Sequence, residues 1–400
     1  PPSTSTSRTG CSLALDRCYP HVSFCRARMG LVRIVRSILS ISLIFSLVRG
    51  GTLIGWEWLT RYNYTRSFIV RVIAKAGLLF LLVNLIFWIL QPLPIIGRIS
   101  IYNILVPGRE RLPYGESPEA YNLSLYNLDA MFASHNIARI KAPDEFRVAV
   151  IGDSAVWGVL LTNPSTLTGY LNRELLTFEG KKIVFYNLGY PTLSLTKDFI
   201  FLEFATRYQP DLILWLVTLE SFPISDQLAS PILQNNVSHL QRLHEEYGLD
   251  LDMNDARLVH PNIWDKTLLG QRRALADWWR LQLFGIGWSN TGIDQQIRGF
   301  EPRSNDFDQD TEWHTFTIDE PFIEADLAFS VLSASKKLPT QIPTIINNEP
   351  IYIADGANSD LHYNFWYPQW AYDRYRDMLQ QQSEQNQWNY IDLWNQIPPE

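Results

Sequence analysis

Residues 76–96 carry no charged side chain, and this run constrains the fold more than any other feature of the chain. Its only polar side chains belong to Asn84 and Gln91, and proline enters the run directly after Gln91. About 20 apolar residues in helical form span the hydrocarbon core of a bilayer, and proline interrupts a helix. The run therefore predicts a transmembrane helix over about residues 74–96. A buried core helix is the alternative, which the scarcity of polar residues disfavours.

Basic residues are concentrated on the N-terminal side of this run. They are Arg61, Arg66, Arg71 and Lys75. The positive-inside rule assigns the side with the excess of Lys and Arg to the cytoplasm. We therefore expect a single-pass membrane protein whose domain after the helix is extracytoplasmic. An apolar stretch within residues 38–55 is short for a span, and whether it forms a second one is left open.

The N-terminal region divides at Met29. The three cysteines of the chain all precede it, at Cys11, Cys18 and Cys25. A disulfide or a cysteine-based metal site is therefore excluded from the rest of the chain. Residues 1–28 show no packing pattern, and we expect an unstructured leader or fragment edge there. Residues 29–97 form the predicted membrane-anchoring region.

Apolar runs typical of buried strands alternate with helical segments after residue 144. Strands are predicted at 146–151, 181–189, 211–217, 344–347 and 388–394, and helices near 165–178, 194–208 and 369–385. Strands that are apolar throughout indicate a parallel sheet covered on both faces. We predict an α/β domain over residues 145–400, after a juxtamembrane linker at 98–144 with one short helix near 128–135. A Trp-rich insertion at about 220–320 is predicted to lie over one edge of the sheet.

The first predicted strand ends in the sequence VIGDSAVWG, residues 150–158. Ligands of open parallel sheets bind beyond the carboxyl ends of the strands. This position places Ser154 at the start of a helix, where free N–H groups and the helix dipole favour negative charge. Gly152 permits a tight turn, and Gly158 permits close packing. The pattern indicates a nucleophilic serine, and a helix cap without catalysis is the alternative.

The sequence VIGDSAVWG resembles the first block of the SGNH (GDSL-type) hydrolase family, with Ala155 in place of the leucine. The sequence YNLGYPT, residues 186–192, resembles the second block. The resemblance covers residues 146–217 well and 344–394 loosely. It implies a flavodoxin-like three-layer sandwich with a central parallel sheet, and acyl transfer by a Ser–His–Asp arrangement. It also implies that Ser154 is the nucleophile and that the N–H groups of Ser154 and Gly189 form the oxyanion hole.

The chain departs from this family at the third block, which supplies an asparagine as a further oxyanion donor. The third strand here leads into LVTLES instead, with Thr218 and Glu220 but no asparagine. Losing one such donor typically costs about 3–4 kcal/mol of barrier stabilisation. Thr218 is a candidate replacement. Asn347 and Asn348 are further candidates, although local turn chemistry is their alternative role.

The second departure concerns the histidine, which the family supplies in an Asp-x-x-His block after the fifth strand. Asp360 and His362 are the local candidates, but they are one residue too close together and precede that strand. Shaping the rim of the site is the alternative role of His362. We instead expect the catalytic Asp and His beyond Glu400, so that the domain lacks its C-terminal end. A serine without its base keeps only a residual rate.

The formal net charge of −7 argues against a nucleic-acid partner, because such a partner requires clustered Lys and Arg. We expect no cofactor and no metal. The predicted function is a serine-dependent ester hydrolase or O-acyltransferase acting on acyl, in particular acetyl, esters of cell-envelope or exported carbohydrate. Its expected partners are the acylated carbohydrate, the lipid bilayer and, for transfer, a membrane-bound acyl donor. The alternative is a non-catalytic envelope protein that binds glycans or assists assembly through the same fold and its 14 tryptophans.

Overall fold

The computed structural model describes residues 64–105, 109–114, 126–291, 312–338, 342–350 and 368–397, with the backbone alone at 286–291. The chain divides into two compact units, Pro1–Leu78 and Leu79–Glu400. The boundary lies inside the first described helix. The candidate site belongs wholly to the second unit.

Helix α1, Arg66–Leu90, is long and apolar enough to cross a membrane. Its large apolar side chains are exposed, and Asn84 is its one buried residue. A core helix would bury an apolar face, so this exposure favours a membrane-spanning role. The helix begins eight residues earlier than predicted and ends at Leu90. Gln91 follows with a φ of 42°, which ends the helical geometry.

Three short helices follow in the stretch around the predicted linker: α2 Leu93–Gly97, α3 Ile101–Leu105 and α4 Leu128–Ser134. Some residues of this stretch are buried in the domain. Tyr102, Leu112 and Phe132 are fully buried. The Tyr102 hydroxyl donates to the Ser134 carbonyl at 2.9 Å, which joins α3 to α4. These residues therefore form part of the core, which their mixed polar sequence did not indicate.

Among the described residues, the central sheet has six strands and a separate hairpin has two. In chain order they are β1 Glu145–Ile151, β2 Thr177–Phe178, β3 Lys181–Asn187, β4 Leu212–Val217, the hairpin β5 Glu312–Trp313 and β6 Phe316–Thr317, β7 Thr344–Asn348 and β8 Asn389–Asp392. The spatial order is β2-β3-β1-β4-β7-β8. All neighbours are parallel except β2 and β3. The predicted α/β class with a mainly parallel sheet is confirmed.

The helix predicted near 165–178 is wrong in its second half. The helix there, α6, ends at Arg173, and Thr177–Phe178 pairs with β3 as an antiparallel strand. Glu179 and Gly180 form the turn between them, with φ values of 50° and 75°. Two successive positive φ values suit the right-handed twist of a two-residue hairpin. This turn overrides the helical tendency of the preceding residues.

The remaining helices cover the sheet or belong to the insertion. They are α5 Ser154–Trp157, α6 Leu167–Arg173, α7 Leu195–Thr206, α8 Pro231–Gln234, α9 Val237–Tyr247, α10 Arg272–Thr291, α11 Phe329–Ala334 and α12 Gln369–Asn386. Ser194 caps α7 by accepting the Lys197 N–H at 3.2 Å. Its side chain satisfies one of the N–H groups that a helix start leaves without a partner.

The two faces of the sheet pack into two separate apolar clusters. In β1, Ala149 and Ile151 face the large cluster, while Val148 and Val150 face the small one. The large cluster also takes in residues of α7, α12 and the insertion, including the buried Trp278 and Trp313. These two insertion tryptophans are therefore core residues rather than an open glycan-binding platform.

Candidate active site

Strand register brings the ends of β1, β3 and β4 together at the carboxyl edge of the sheet. Ile151 pairs with Trp215, so Ser154 and Thr218 each follow three residues beyond a paired position. On the other side, Tyr190 N–H donates to the Gly152 carbonyl at 3.0 Å. The structure thus places Ser154 beside the loop that carries Gly189.

Ser154 is the first residue of α5 and is half-buried. The carboxylate of Asp153 accepts the Ala155 N–H at 2.8 Å and so caps this helix. Within the described part of the chain, neither the Ser154 hydroxyl nor its N–H has a hydrogen-bond partner. The hydroxyl and one potential oxyanion donor are therefore both available at this corner.

Close backbone packing explains the glycines around Ser154. A Cβ on Gly152 would lie 2.6 Å from Val156 Cγ2, and one on Gly189 would lie 2.4 Å from the Trp157 nitrogen. Both distances are shorter than any normal contact. The loop after β3 can therefore approach α5 only because residue 189 has no side chain.

The Gly189 N–H is engaged in a hydrogen bond. It donates to Asn187 Oδ1 at 3.1 Å, while Asn187 Nδ2 donates to the Val156 carbonyl at 2.7 Å. Asn187 is buried and links the β3 loop to α5. An oxyanion would have to displace the Asn187 amide oxygen to use this donor.

A buried lysine that the sequence reading overlooked lies at the same corner. The Lys197 side chain is fully buried. Its ammonium donates to the carbonyls of Gly152 at 2.8 Å and Tyr190 at 3.1 Å, and it pairs with Asp198 Oδ1 at 2.5 Å. Lys197 therefore ties the loops after β1 and β3 together.

The positive charge of Lys197 lowers the pKa of three neighbouring carboxyl groups, but burial opposes it. Burial raises the pKa of Asp198 to about 6, although Lys197 and the Trp215 indole N–H, which donates at 3.2 Å, oppose the shift. Burial also raises the pKa of Asp153, again against Lys197. Burial, reinforced by Asp153 and Asp198, raises the pKa of Glu349 well above its usual range. Burial therefore opposes the ionisation of all three carboxyl groups.

Glu349 directly follows β7 at this edge, and its N–H donates to the Val217 carbonyl at 2.9 Å. Among the described residues, its buried Oε1 atom and the buried hydroxyl of Tyr375 have no hydrogen-bond partner. Burial, and to a smaller extent Glu349, raises the pKa of Tyr375 well above its usual range. Burial therefore favours the uncharged form of both groups.

The candidate donors Thr218 and Asn347 are both engaged. Thr218 Oγ1 lies 3.1 Å from the Tyr372 hydroxyl of α12. Asn347 Nδ2 donates to the Ile345 carbonyl at 3.0 Å. Asn348 Nδ2 donates to Asp392 Oδ1 at 2.9 Å, which joins β7 to β8. None of these hydrogen bonds joins Thr218, Asn347 or Asn348 to Ser154.

The histidine that the sequence proposes lies outside the described part of the chain, whereas His135 lies within it. Asp360 and His362 lie outside the described residues, as does Glu400. His135 is buried, accepts the Ile137 N–H at 3.1 Å and contacts the Glu110 carbonyl at 3.0 Å. Burial lowers its pKa to about 4. His135 is therefore a neutral structural residue.

His314, for which the sequence suggests no role, lies beside the carboxylate of Glu220, and Glu220 follows β4 in the chain. Its Nε2 atom is 3.3 Å from Glu220 Oε2, and the Trp313 indole N–H donates to Glu220 Oε1 at 2.6 Å. The Glu220 hydrogen bond raises the pKa of His314. A carboxylate-oriented, partly exposed imidazole of this kind can accept a proton. The pair forms because the β5–β6 hairpin brings His314 next to Glu220.

No group of acidic, histidine and cysteine side chains suited to a metal ion occurs in the described ranges. No protein-family model matches the chain, and no curated protein sequence matches it.

Proposed function

We propose that this chain is a membrane-anchored serine esterase or O-acyltransferase of the SGNH type. Its substrates are acyl, in particular acetyl, esters of carbohydrate outside the cytoplasm. The observation that carries the proposal is the position of Ser154 at the end of β1, with its hydroxyl and N–H both unengaged among the described residues. A buried strand that turns into a helix at such a serine is typical of a nucleophile in this fold class.

The order of the parallel strands supports the finer fold assignment. Numbered along the chain, the five parallel strands lie in the order 2-1-3-4-5. This is the flavodoxin-like order, in which ligands bind where the first and third strands diverge. That point lies between β1 and β4. Ser154 follows β1 at this point.

The proposed reaction begins when the Ser154 hydroxyl oxygen attacks the acyl carbon and passes its proton to a base. The Ser154 N–H donates to the resulting oxyanion, and Gly189 N–H joins it once Asn187 releases that donor. The alcohol leaves with the proton held by the base, and the acyl group remains on Ser154. Water or a sugar hydroxyl then attacks, and the same base returns a proton to Ser154.

The family resemblance predicts a catalytic Asp and His beyond Glu400, and two histidines of this chain are further candidate bases. His362, with Asp360, is the candidate from sequence. His314, oriented by Glu220 beyond the end of β4, is the candidate that the structure adds. Lys197 is engaged with the carbonyls of Gly152 and Tyr190 and with Asp198.

The membrane part of the proposal rests on α1 and on the basic residues near its start. Arg66, Arg71 and Lys75 lie in the first turns of α1, and the C-terminal half of the helix carries no charge. The positive-inside rule then places the second unit outside the cytoplasm. Carbohydrates of the cell envelope, or those being exported, are the esters available there.

A non-catalytic glycan-binding or assembly role is the second candidate. It is favoured by the hydrogen bond that engages Gly189 N–H and by the absence of an asparagine after β4. It predicts an intact fold that turns over no ester.

The experiment is ester turnover by the purified full chain in lipid nanodiscs, with 4-nitrophenyl acetate as the probe. Ser154→Ala is compared with Ser165→Ala, because Ser165 is half-buried in the nearby segment before α6. We expect Ser154→Ala to lower the rate above background by at least about 10³-fold, and Ser165→Ala to leave it unchanged. Equal, measurable rates for Ser154→Ala and the wild type would reject the proposal, and no turnover by the folded wild type would reject His362 and His314 as its bases.

A further inference from the structure

A loop of the insertion packs against the C-terminal part of α1. Asn84 Oδ1 accepts the Leu269 N–H at 3.0 Å, and Gln91 Nε2 donates to the Lys266 carbonyl at 3.0 Å. Asn84 lies six residues before the end of α1 at Leu90. With a rise of 1.5 Å per residue, this is about 9 Å along the helix. The loop therefore reaches back along the apolar part of α1.

The same loop satisfies backbone polar groups internally. Asn262 Oδ1 accepts the N–H groups of Trp264 at 2.8 Å and Asp265 at 3.1 Å, and the Thr267 hydroxyl donates to the Trp264 carbonyl at 2.7 Å. Gly270 packs so tightly that a Cβ would lie 2.2 Å from the Trp264 carbonyl oxygen. Backbone that enters an apolar medium needs this kind of internal pairing.

Neighbouring segments are joined to this end of the domain. The Trp278 indole N–H of α10 donates to the Ile99 carbonyl at 3.2 Å, and Gln282 Oε1 accepts the Ile101 N–H at 2.8 Å. These bonds turn Trp278 and Gln282 inward. Trp279 and Leu283, one helical turn apart, lie on the outward side of α10 and are exposed.

Large exposed apolar side chains are concentrated on these segments. We call them the basal surface: Ile95, Ile99, Ile101, Ile104, Leu105, Val259, Ile263, Trp264, Leu269, Trp279 and Leu283. Trp264 is 71% exposed and Trp279 is 55% exposed. Exposed basic residues, Lys266, Arg272 and Arg273, lie in the same segments. Trp is enriched at membrane–water interfaces, and large exposed apolar patches mark contact surfaces.

We infer that the basal surface is a second membrane-contact surface, whose partner is the lipid of the leaflet in which α1 ends. Trp264 and Trp279 lie at the level of the lipid headgroups, and the loop that carries Trp264 enters the interface beside α1. This inference rests on the proposed anchoring by α1 and extends it. Contact of the basal surface with lipid fixes the orientation of the domain relative to the bilayer. Continuity with α1 favours lipid over a second protein as the partner.

Bromolipid quenching of tryptophan fluorescence tests this inference on the full chain in nanodiscs. Bromine is placed high on the acyl chains, and the quenched fraction is compared between the wild type, Trp264→Phe, Trp264→Phe/Trp279→Phe and Trp388→Phe. Trp388 is a half-buried tryptophan at the start of β8, outside the basal surface. We expect the quenched fraction to fall in the first two variants, most in the double variant, and not in Trp388→Phe.

The outcomes separate this inference from the anchoring itself. Retention of the full chain in membranes after alkaline carbonate extraction tests α1. A retained chain whose quenched fraction is the same in all four proteins overturns the basal-surface inference and leaves the anchor intact. Release by carbonate overturns the anchoring. The single variant Trp264→Phe, at a highly exposed position, keeps the test valid if the double variant fails to fold.

Discussion

Lys197 is the residue on which the geometry of the described site depends most, because one buried ammonium joins two loops and an aspartate. Replacement by methionine keeps the approximate volume of the side chain. It removes the ammonium group that contacts Asp198 and the two carbonyl groups. Breaking a buried pair typically costs about 3–5 kcal/mol. We expect a loss of that size in the free energy of unfolding of Lys197→Met, measured by urea titration.

Lys182→Met is the matched control for this prediction, because Lys182 is exposed on β3. Exposed substitutions usually change stability by less than about 0.5 kcal/mol. Equal stability of Lys197→Met and Lys182→Met would show that the buried ammonium does not hold the two loops.

Glu349 makes the stability of the domain depend on pH in a defined direction. Its pKa is raised in the folded protein by burial and by Asp153 and Asp198. The stabilisation from the protonated folded form is complete below the pKa of an unfolded glutamate and is lost as pH rises through the folded pKa. Glutamine cannot ionise. Glu349→Gln should therefore gain stability relative to the wild type as pH increases, measured as unfolding midpoints between pH 5 and 9. A difference that does not change with pH would contradict the shift.

Sequence reasoning pointed to Ser154 and Gly152 because a strand, a turn and a helix start leave a local pattern, and to Gly189 through the family resemblance. It missed Lys197 and Asp198, because adjacent charges within a helix are usually solvated. Their burial depends on the approach of the loops after β1 and β3, which no local pattern encodes. The pairing of Glu220 with His314 was missed for the same reason.

At the scale of elements, the contact between the β3 loop and α5 is the most sensitive. A Cβ at position 189 would lie 2.4 Å from the Trp157 nitrogen, so Gly189→Ala must displace α5 and with it Ser154. Overpacking of this kind typically costs about 1–3 kcal/mol. We expect that loss in urea titration, together with slower labelling of Ser154 by a fluorophosphonate probe.

Gly180→Ala provides the comparison for this element. Residue 180 has open space around it and a φ of 75°, so its cost comes from the backbone alone, about 1–2 kcal/mol. Labelling of Ser154 should be unchanged in this variant. If Gly180→Ala and Gly189→Ala slow labelling equally, the β3 loop does not position Ser154.

The main strands were predictable because each is a short apolar run between turn residues. The second half of the helix predicted near 165–178 was not, because the Glu179–Gly180 turn converts it into β2. The start of α1 was placed too late, because charged side chains at the end of a membrane helix do not interrupt its backbone. The predicted ends of these elements were therefore wrong where backbone geometry, rather than the side-chain pattern, sets where an element begins or ends.

At the scale of the whole molecule, the orientation in the membrane is the main prediction. Basic residues at the start of α1 predict that this end of the helix lies in the cytoplasm. In a bacterial host, alkaline phosphatase fused after Glu400 should be active, and green fluorescent protein fused there should not fluoresce. The opposite pattern would place the second unit in the cytoplasm and remove envelope carbohydrate as its substrate.

Covalent labelling of Ser154 tests the central claim most directly. The full chain in nanodiscs is treated with a fluorophosphonate, and the modified peptide is identified by mass spectrometry in the wild type, Ser154→Ala and Ser165→Ala. The account predicts an adduct on Ser154 in the wild type and in Ser165→Ala, and none in Ser154→Ala. A folded wild-type chain that forms no adduct at Ser154 would contradict it.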